Sequence, residues 1–178
     1  METHPYLHSC ISEAKRYKRI GDAVLERVSQ EQLHFQPQAD TNSIAMLVHH
    51  LSGNMLSRFT DFFSSDGEKS WRQRDLEFEP VNWSPAEAMA AWKTGWDVYL
   101  GVLETLTEAD LDKTVYIRSE PHRVWDAIQR QQAHYPYHIG QMTLLAKWQL
   151  GDRWESLSIA KNQSAAYLQQ MKEKHKKA

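Results

Sequence analysis

The spacing of apolar residues along the chain predicts four long amphipathic helices. Apolar side chains recur every three or four residues over 6–28, from 42 or 43 to about 65, over 84–106 and over 124–150. This interval places them on one face of a helix, which can then be buried against neighbouring helices. A fifth, shorter helix is expected over 160–174.

Local signals mark the starts of two of these helices. Asn42 or Ser43 can cap the second helix, because either side chain accepts hydrogen bonds from the free N–H groups of a first turn. The third helix opens with Ser84, Pro85 and Glu87, which together form a capping box with proline at the first helical position. Both starts are therefore predicted to within a residue.

The long links between the helices determine the topology that we expect. Residues 66–83 and 107–123 carry no helical period, and only 114–117 is expected to be extended. Links of this length can cross a bundle, so consecutive helices need not be antiparallel neighbours. We predict an all-α four-helix bundle, formed by a single domain over 1–178, with a short extra C-terminal helix.

Composition and charge exclude several classes of protein. One domain is the default for 178 residues, because a domain has about 150 residues on average. The formal net charge of −2 offers no basic field for nucleic acid. No apolar run approaches the ~20 residues of a membrane span, no signal peptide is evident, and Cys10 has no cysteine partner. We expect a cytoplasmic protein that binds neither nucleic acid nor a membrane.

The chain has nine histidines, and two of them lie where they can share a metal ion. His134 and His138 are four residues apart in the fourth predicted helix, so their Cβ atoms lie roughly 6 Å apart on one face. Imidazoles inside a bundle are costly unless they are hydrogen-bonded or bound to a metal. The alternative is a pair of core histidines with backbone or carboxylate partners. Spacing alone does not decide, because His4 and His8 show it at the chain terminus.

The second predicted helix offers a third ligand. His49 and His50 flank its apolar stripe on opposite sides, so the helical pattern does not choose between them. Asn54 lies one turn beyond His50 and can orient its ring, or it is an ordinary polar residue beside the stripe. No carboxylate stands at a diagnostic distance from these histidines, so no general base is predicted.

Two further sets of residues have two interpretations each. Aromatic residues at helical spacing can line an apolar substrate pocket, although ordinary core packing is their more common role. The candidates for the pocket are Trp92, Trp96, Tyr135 and Tyr137. Arg72 and Arg74 alternate with acidic residues in the first long link, which favours a solvated crossover loop over a lid on the site.

The histidine-containing segments share the motifs of a known family. Segment 42–51 has Ser-Ile followed six residues later by His-Leu, and segment 134–141 reads His-x-x-x-His-x-Gly-Gln. Both are similar to motifs of the DinB/YfiT-like superfamily, which comprises bacterial four-helix-bundle metalloenzymes. The first motif selects His50 rather than His49. Segment 64–78 resembles one uncharacterised branch, and similar features run over about 5–170.

This resemblance implies an up-down-down-up bundle that holds a divalent ion, often nickel or zinc, on His50, His134 and His138. It also implies frequent homodimers. Gln141 completes the second motif and, with Asn54, is a candidate for orienting the ligands. Known activities of the superfamily include metal-dependent S-transfer with low-molecular-weight thiols and mycothiol-dependent maleylpyruvate isomerisation.

We therefore predict a metal-dependent enzyme that acts on a small-molecule substrate. Three neutral imidazoles leave an ion its charge and an open position, where a water or thiol loses its proton near neutral pH. The alternative is a non-catalytic dimeric bundle, related to stress, that holds a structural ion or a small ligand. Structural zinc sites usually have four protein ligands, so three histidines favour the open site. Pro136 departs from the family pattern and is expected to bend its helix.

Overall fold

The structure is a computed structural model that describes residues 4–176, and helices dominate it. The four long helices are α1 (Pro5–Leu25), α3 (Ile44–Phe59), α4 (Pro85–Thr105) and α5 (Val124–Leu150). The two short α-helices are α2 (Gln30–His34) and α6 (Ser164–Lys174). Short 3-10 helices occupy Arg74–Phe78, Glu108–Asp110 and Gly151–Arg153. The strands β1 (Thr114–Ile117) and β2 (Glu120–Arg123) form one antiparallel hairpin.

The predicted helix starts are confirmed by their caps. Ser43, not Asn42, caps α3, and its hydroxyl accepts a hydrogen bond from the backbone N–H of Met46 at 3.2 Å. The Ser84 hydroxyl accepts from the Glu87 N–H at 3.3 Å, and the Glu87 carboxylate accepts from the Ser84 N–H at 2.7 Å. Each cap satisfies donors that the first helical turn leaves free.

Three predicted helix boundaries differ from the structure. α1 ends at Leu25, because a turn leads into Ser29, which caps the short helix α2. α3 ends at Phe59, about six residues before its expected end. Asp61 there has a φ of 50°, which breaks the helix, while Phe62 still stacks on Phe59 and so continues the apolar pattern. α6 begins at residue 164 rather than 160.

The hairpin confirms the expected extended segment and adds a strand that the sequence did not indicate. Val115 pairs with His122, and Arg118 and Ser119 form the turn with positive φ angles of 55° and 64°. The Asp66 carboxylate accepts hydrogen bonds from both turn N–H groups, at 2.8 and 2.7 Å. β2 was missed because it lacks the alternation of apolar and polar residues that predicts a strand.

The long helices form the predicted four-helix bundle with up-down-down-up topology. α1 packs against α4 and α5, and α3 packs against the same two helices. Aromatic rings fill much of the space between them, with Trp92, Trp96 and Tyr135 each at most 1% exposed. Within residues 4–176, no helix combines the length and apolar character needed to span a membrane.

The crossing of α1 and α4 depends on a residue without a side chain. A Cβ atom on Gly21 would lie 2.2 Å from Cζ2 of Trp92, whose indole N–H donates to Asp22 at 2.7 Å. We expect Gly21→Ala to displace this ring and lower the free energy of unfolding by about 1–3 kcal/mol, measured by urea denaturation. In the control Gly101→Ala, nothing lies within 4 Å of the new atom. A Gly21→Ala protein as stable as this control would contradict the prediction.

Candidate metal centre

Three histidines from two helices meet inside the bundle. Nε2 of His134 lies 3.1 Å from Nε2 of His50 and 3.0 Å from Nε2 of His138. One ring nitrogen from each residue lies within 4.8 Å of the others. His50 comes from α3, whereas the other two come from successive turns of α5. His49 lies apart from this group, with its ring against Trp83 at 5.0 Å between centroids.

A buried carboxylate fixes the orientation of the His50 ring. Oε2 of Glu77 lies 2.9 Å from Nδ1 of His50, and both side chains are 4% exposed. Because an ionised carboxylate only accepts hydrogen bonds, Nδ1 of His50 carries a proton, and in the neutral ring the lone pair is then on Nε2. A carboxylate in this position is a common partner of metal-binding histidines, because it also raises the basicity of the ring.

The same reasoning applies to His134. Its Nδ1 faces the Gln131 side-chain oxygen at 3.4 Å, and a proton on Nδ1 leaves the lone pair of the neutral ring on Nε2. The Nε2 atoms of His134 and His50 lie 3.1 Å apart, close enough for both to bind one cation when neither carries a proton. Nδ1 of His138 is buried with no hydrogen-bond partner among residues 4–176. The donor set and its tautomers therefore fit a bound cation.

Arg72 holds Glu77 in place through two hydrogen bonds. Nε of Arg72 donates to Oε1 at 2.7 Å and Nη2 donates to Oε2 at 2.8 Å, and the Arg72 side chain is 1% exposed. Glu77 also lies against α3 at Gly53, where a Cβ atom would be 2.4 Å from Oε1. Arg72, Glu77 and His50 thus form a buried chain of hydrogen bonds that leads from the first long link into the histidine cluster.

The environment controls the charge on these groups. Burial alone would raise the pKa of Glu77, but hydrogen bonds from Arg72 and His50 outweigh it and hold the pKa below its usual value. Burial lowers the pKa of His134 to about 3 and that of His138 to about 4, and the neighbouring imidazoles add to both shifts. Both rings are therefore neutral at pH 7, which is the form that binds metals.

Of the two residues predicted to orient the ligands, Asn54 makes its hydrogen bond elsewhere. The side-chain oxygen of Asn54 accepts from the Tyr135 hydroxyl at 3.2 Å, and Glu77 takes the place expected for Asn54 beside His50. Gln141 follows His138 by one turn and is partly buried, yet the Nδ1 atom of His138 remains unpaired. The chain thus orients His50 from the link rather than from its own helix.

The four aromatic residues considered for a substrate pocket do not line the cavity beside the histidines, which is polar. Trp92, Trp96 and Tyr135 pack in the core, and Tyr137 is 65% exposed. A cavity of about 300 Å³ opens beside the three histidines. Its other lining residues are Asn54, Arg58, Arg72, Arg74, Phe78, Arg118, Arg130 and Gln131. The alternative of core packing is correct for the three buried aromatic residues.

The interpretation of the Arg72 segment as a solvated loop is wrong for the side chains of Arg72 and Glu77. Arg72 and Glu77 are buried, whereas Arg74 and Asp75 remain exposed. No spacing rule finds Glu77, because it stands 27 residues from His50 in a link without helical period. The resemblance of segment 64–78 to one branch of the superfamily includes Glu77 but does not select it within the segment.

The comparisons agree with the helical bundle. The profile of a family described as "Protein of unknown function (DUF1572)" matches residues 1–163. The crystal structure of a DinB-like protein from Bacillus cereus ATCC 10987 is similar, with a TM-score of 0.59 and 17% sequence identity. The match covers 82% of this chain and 91% of that chain, and at this identity it shows a shared fold. No curated protein matches the sequence. The chain belongs to the DUF1572 family.

Proposed function

We propose that the protein is a metal-dependent enzyme whose ion binds to Nε2 of His50, His134 and His138. The observation that carries this proposal is the convergence of the three Nε2 atoms, with neighbouring pairs 3.0 and 3.1 Å apart. Two nitrogens at ~2.1 Å from one ion lie at most about 4.2 Å apart, so this spacing suits a shared ion. Imidazole ligands favour zinc or nickel over magnesium or calcium.

The residues around the cluster suit an open catalytic site. A divalent ion there supplies a strong local positive charge, which favours the deprotonated form of a water or thiol. Glu77 keeps the His50 ring in one orientation and one tautomer, and Arg72 holds Glu77. The cavity beside the histidines gives a small molecule access to the ion. We propose that the reaction transfers a low-molecular-weight thiol to a small electrophile, as the family resemblance implies.

One observation favours a second candidate function, a bundle that binds a metal or ligand without catalysis. No carboxylate lines the cavity among the described residues, so a side chain that could accept a proton from substrate is absent from its wall. General bases are most often histidine or carboxylate groups, and the three histidines here are assigned to the ion. Assays of the loaded protein distinguish the two functions.

The proposed ligand set predicts one metal ion per chain. Protein purified without a nickel column should contain close to one equivalent of zinc or nickel by elemental analysis, and His138→Ala should contain almost none. A chelator should lower the midpoint of thermal unfolding of the wild type but not of His138→Ala, because only the folded wild type binds the ion. His8→Ala, on the exposed face of α1, is the matched control. Equal metal content in all three proteins would contradict the site.

Catalysis is tested on the same loaded proteins. Thiol consumption with an epoxide or an aryl halide should require the ion and should be lost in His138→Ala. A full metal site with no turnover across a panel of thiols and electrophiles would instead support the binding function.

Neutral histidines predict how the stability of the metal-free protein depends on pH. The unfolded chain protonates His134 and His138 near pH 6.5, whereas the folded chain keeps His134 neutral down to about pH 3 and His138 neutral down to about pH 4. Because the unfolded state binds more protons in this window, the free energy of unfolding should fall as the pH decreases from about 6.5 to about 4. Urea denaturation at a series of pH values measures this slope.

The control for this prediction is another histidine substitution. His134→Gln should reduce the slope, and His8→Gln should leave it unchanged. A His134→Gln protein with the same slope as the wild type would contradict the assignment of a neutral His134.

We also propose that the protein forms a homodimer through α5. One exposed face of this helix presents Ala133, Tyr137, Gly140, Leu144 and Trp148. The three large side chains are 64–65% exposed, and no charged residue interrupts the stripe. Its two small residues, Ala133 and Gly140, flank Tyr137, and nothing lies within 4 Å of a Cβ atom placed on Gly140. Such a surface can pair with its own copy about a two-fold axis, with the large side chains of one copy beside the small residues of the other.

Leu144→Glu tests this interface. The wild type should sediment at about twice the 20.8 kDa chain mass, and Leu144→Glu should sediment as a monomer, because it places charge in the apolar contact. Leu168→Glu changes a similarly exposed leucine on α6 and should remain dimeric. A monomeric wild type, or a dimeric Leu144→Glu protein, would contradict the proposal.

A further inference from the structure

The cavity beside the histidines is unusually rich in arginine. Five of its eleven lining residues are arginines, and no aspartate or glutamate lines it. They come from separate parts of the fold: α3, the first long link, a 3-10 helix, the hairpin turn and α5. In that order, they are Arg58, Arg72, Arg74, Arg118 and Arg130. Grouping cations in this way is unfavourable unless anions compensate them.

Two carboxylates behind the cavity wall compensate part of this charge. Oε2 of Glu68 accepts hydrogen bonds from Arg58 at 3.1 Å and Arg118 at 2.8 Å. Both oxygens of Glu77 accept from Arg72. Burial lowers the pKa of Arg58, and the charge of Arg72 lowers it further, whereas Glu68 opposes both effects.

Some N–H groups of these arginines have no hydrogen-bond partner among the described residues. Nη1 of Arg72 is buried without a hydrogen-bond partner among residues 4–176, and the carboxylate oxygen paired with it, Oε2 of Glu68, lies 3.9 Å away. Arg130 forms no ion pair with any described residue, and its side chain also lines the cavity. Within residues 4–176, the one ion pair of Arg74 is with the fully exposed Asp75, at 3.7 Å, and its guanidinium also lies over the Phe78 ring.

A purely structural role explains some of these residues but not all. Arg58 binds the backbone oxygen of Gly67, and Arg118 joins the hairpin to Glu68, so both hold the cavity wall together. That role does not account for the buried, unpaired Nη1 of Arg72 or for an unpaired Arg130 at the same cavity. These donors suit a ligand that carries its own negative charge.

We propose that this cavity binds a small molecule bearing a carboxylate or phosphate group, whose oxygens accept hydrogen bonds from Arg72 and Arg130. Arginine donors match the geometry of both anions and bind them in preference to neutral groups. A volume of about 300 Å³ admits only a small ligand. If the bound anion is the substrate of the metal centre, this inference rests on the proposed function. Anion binding itself requires no metal.

Calorimetric titration of metal-free protein, dialysed to remove chelator, tests this proposal. The probes are inorganic phosphate, malonate and the neutral analogue malonamide. We expect phosphate or malonate to bind and malonamide not to bind, with affinity that weakens as ionic strength rises. Arg130→Gln should weaken binding about tenfold or more, because it removes a charged donor from an exposed position without disturbing the core. Arg153→Gln, on the 3-10 helix after α5, should bind like the wild type.

Arg72→Gln provides a second variant and should abolish anion binding. Circular dichroism checks its fold, since it also removes the support of Glu77. Equal binding of malonamide and malonate would overturn the proposal, as would unchanged affinity in Arg130→Gln.

Metal content of the same proteins separates this proposal from the proposed function. Arginine-dependent anion binding without a stoichiometric metal ion would support the anion site and contradict the metal enzyme. One metal ion per chain without binding of either anion would support the metal centre and contradict the anion site.

Discussion

The candidate site depends on one buried interaction, the hydrogen bond between Glu77 and His50. Burying an ionised carboxylate costs several kcal/mol unless its oxygens find donors. Arg72 supplies two donors and the His50 ring supplies the third, so the charge is compensated inside the protein. The same contact fixes the proton on Nδ1 and leaves Nε2 of His50 directed at the other two histidines. The Glu77 carboxylate, in the first long link, thereby orients the Nε2 atom of a histidine on α3.

The histidines and the arginines of the site favour ligands of opposite charge. Neutral imidazoles suit a cation, whereas the adjoining arginines repel one. Glu68 and Glu77 reduce this repulsion, but they lie behind the wall and are already engaged by arginines. An anionic substrate between the two would be attracted by both the ion and the arginines. The arginines would then hold the anionic group of the substrate, while its reactive group would lie at the ion bound by the histidines.

The helices and part of the site could be predicted from the sequence, and the physical reasons differ between the two. Burial on one face imposes a period of 3.6 residues, so spacing predicts α5 and places His134 and His138 on one of its faces, but it does not identify a metal site. The choice of His50 over His49 needed the family motif, because both flank the apolar stripe. Glu77 could not be predicted, because its burial depends on contacts between segments distant in sequence. The aromatic residues Trp92 and Trp96 packed as core, as their spacing alone would favour.

The irregular segments and the helices contribute different properties to the site. The helices hold the three histidines, whereas the link and the hairpin provide three of the five arginines. These two segments form one unit, because the Asp66 carboxylate binds the hairpin turn and the Tyr116 backbone oxygen accepts from the Gly67 N–H at 2.7 Å. Loops tolerate sequence change better than packed helices do. Substitutions in the link and hairpin can therefore alter which anion the cavity accepts while the histidine cluster stays intact, provided that Arg72 and Glu77 are retained.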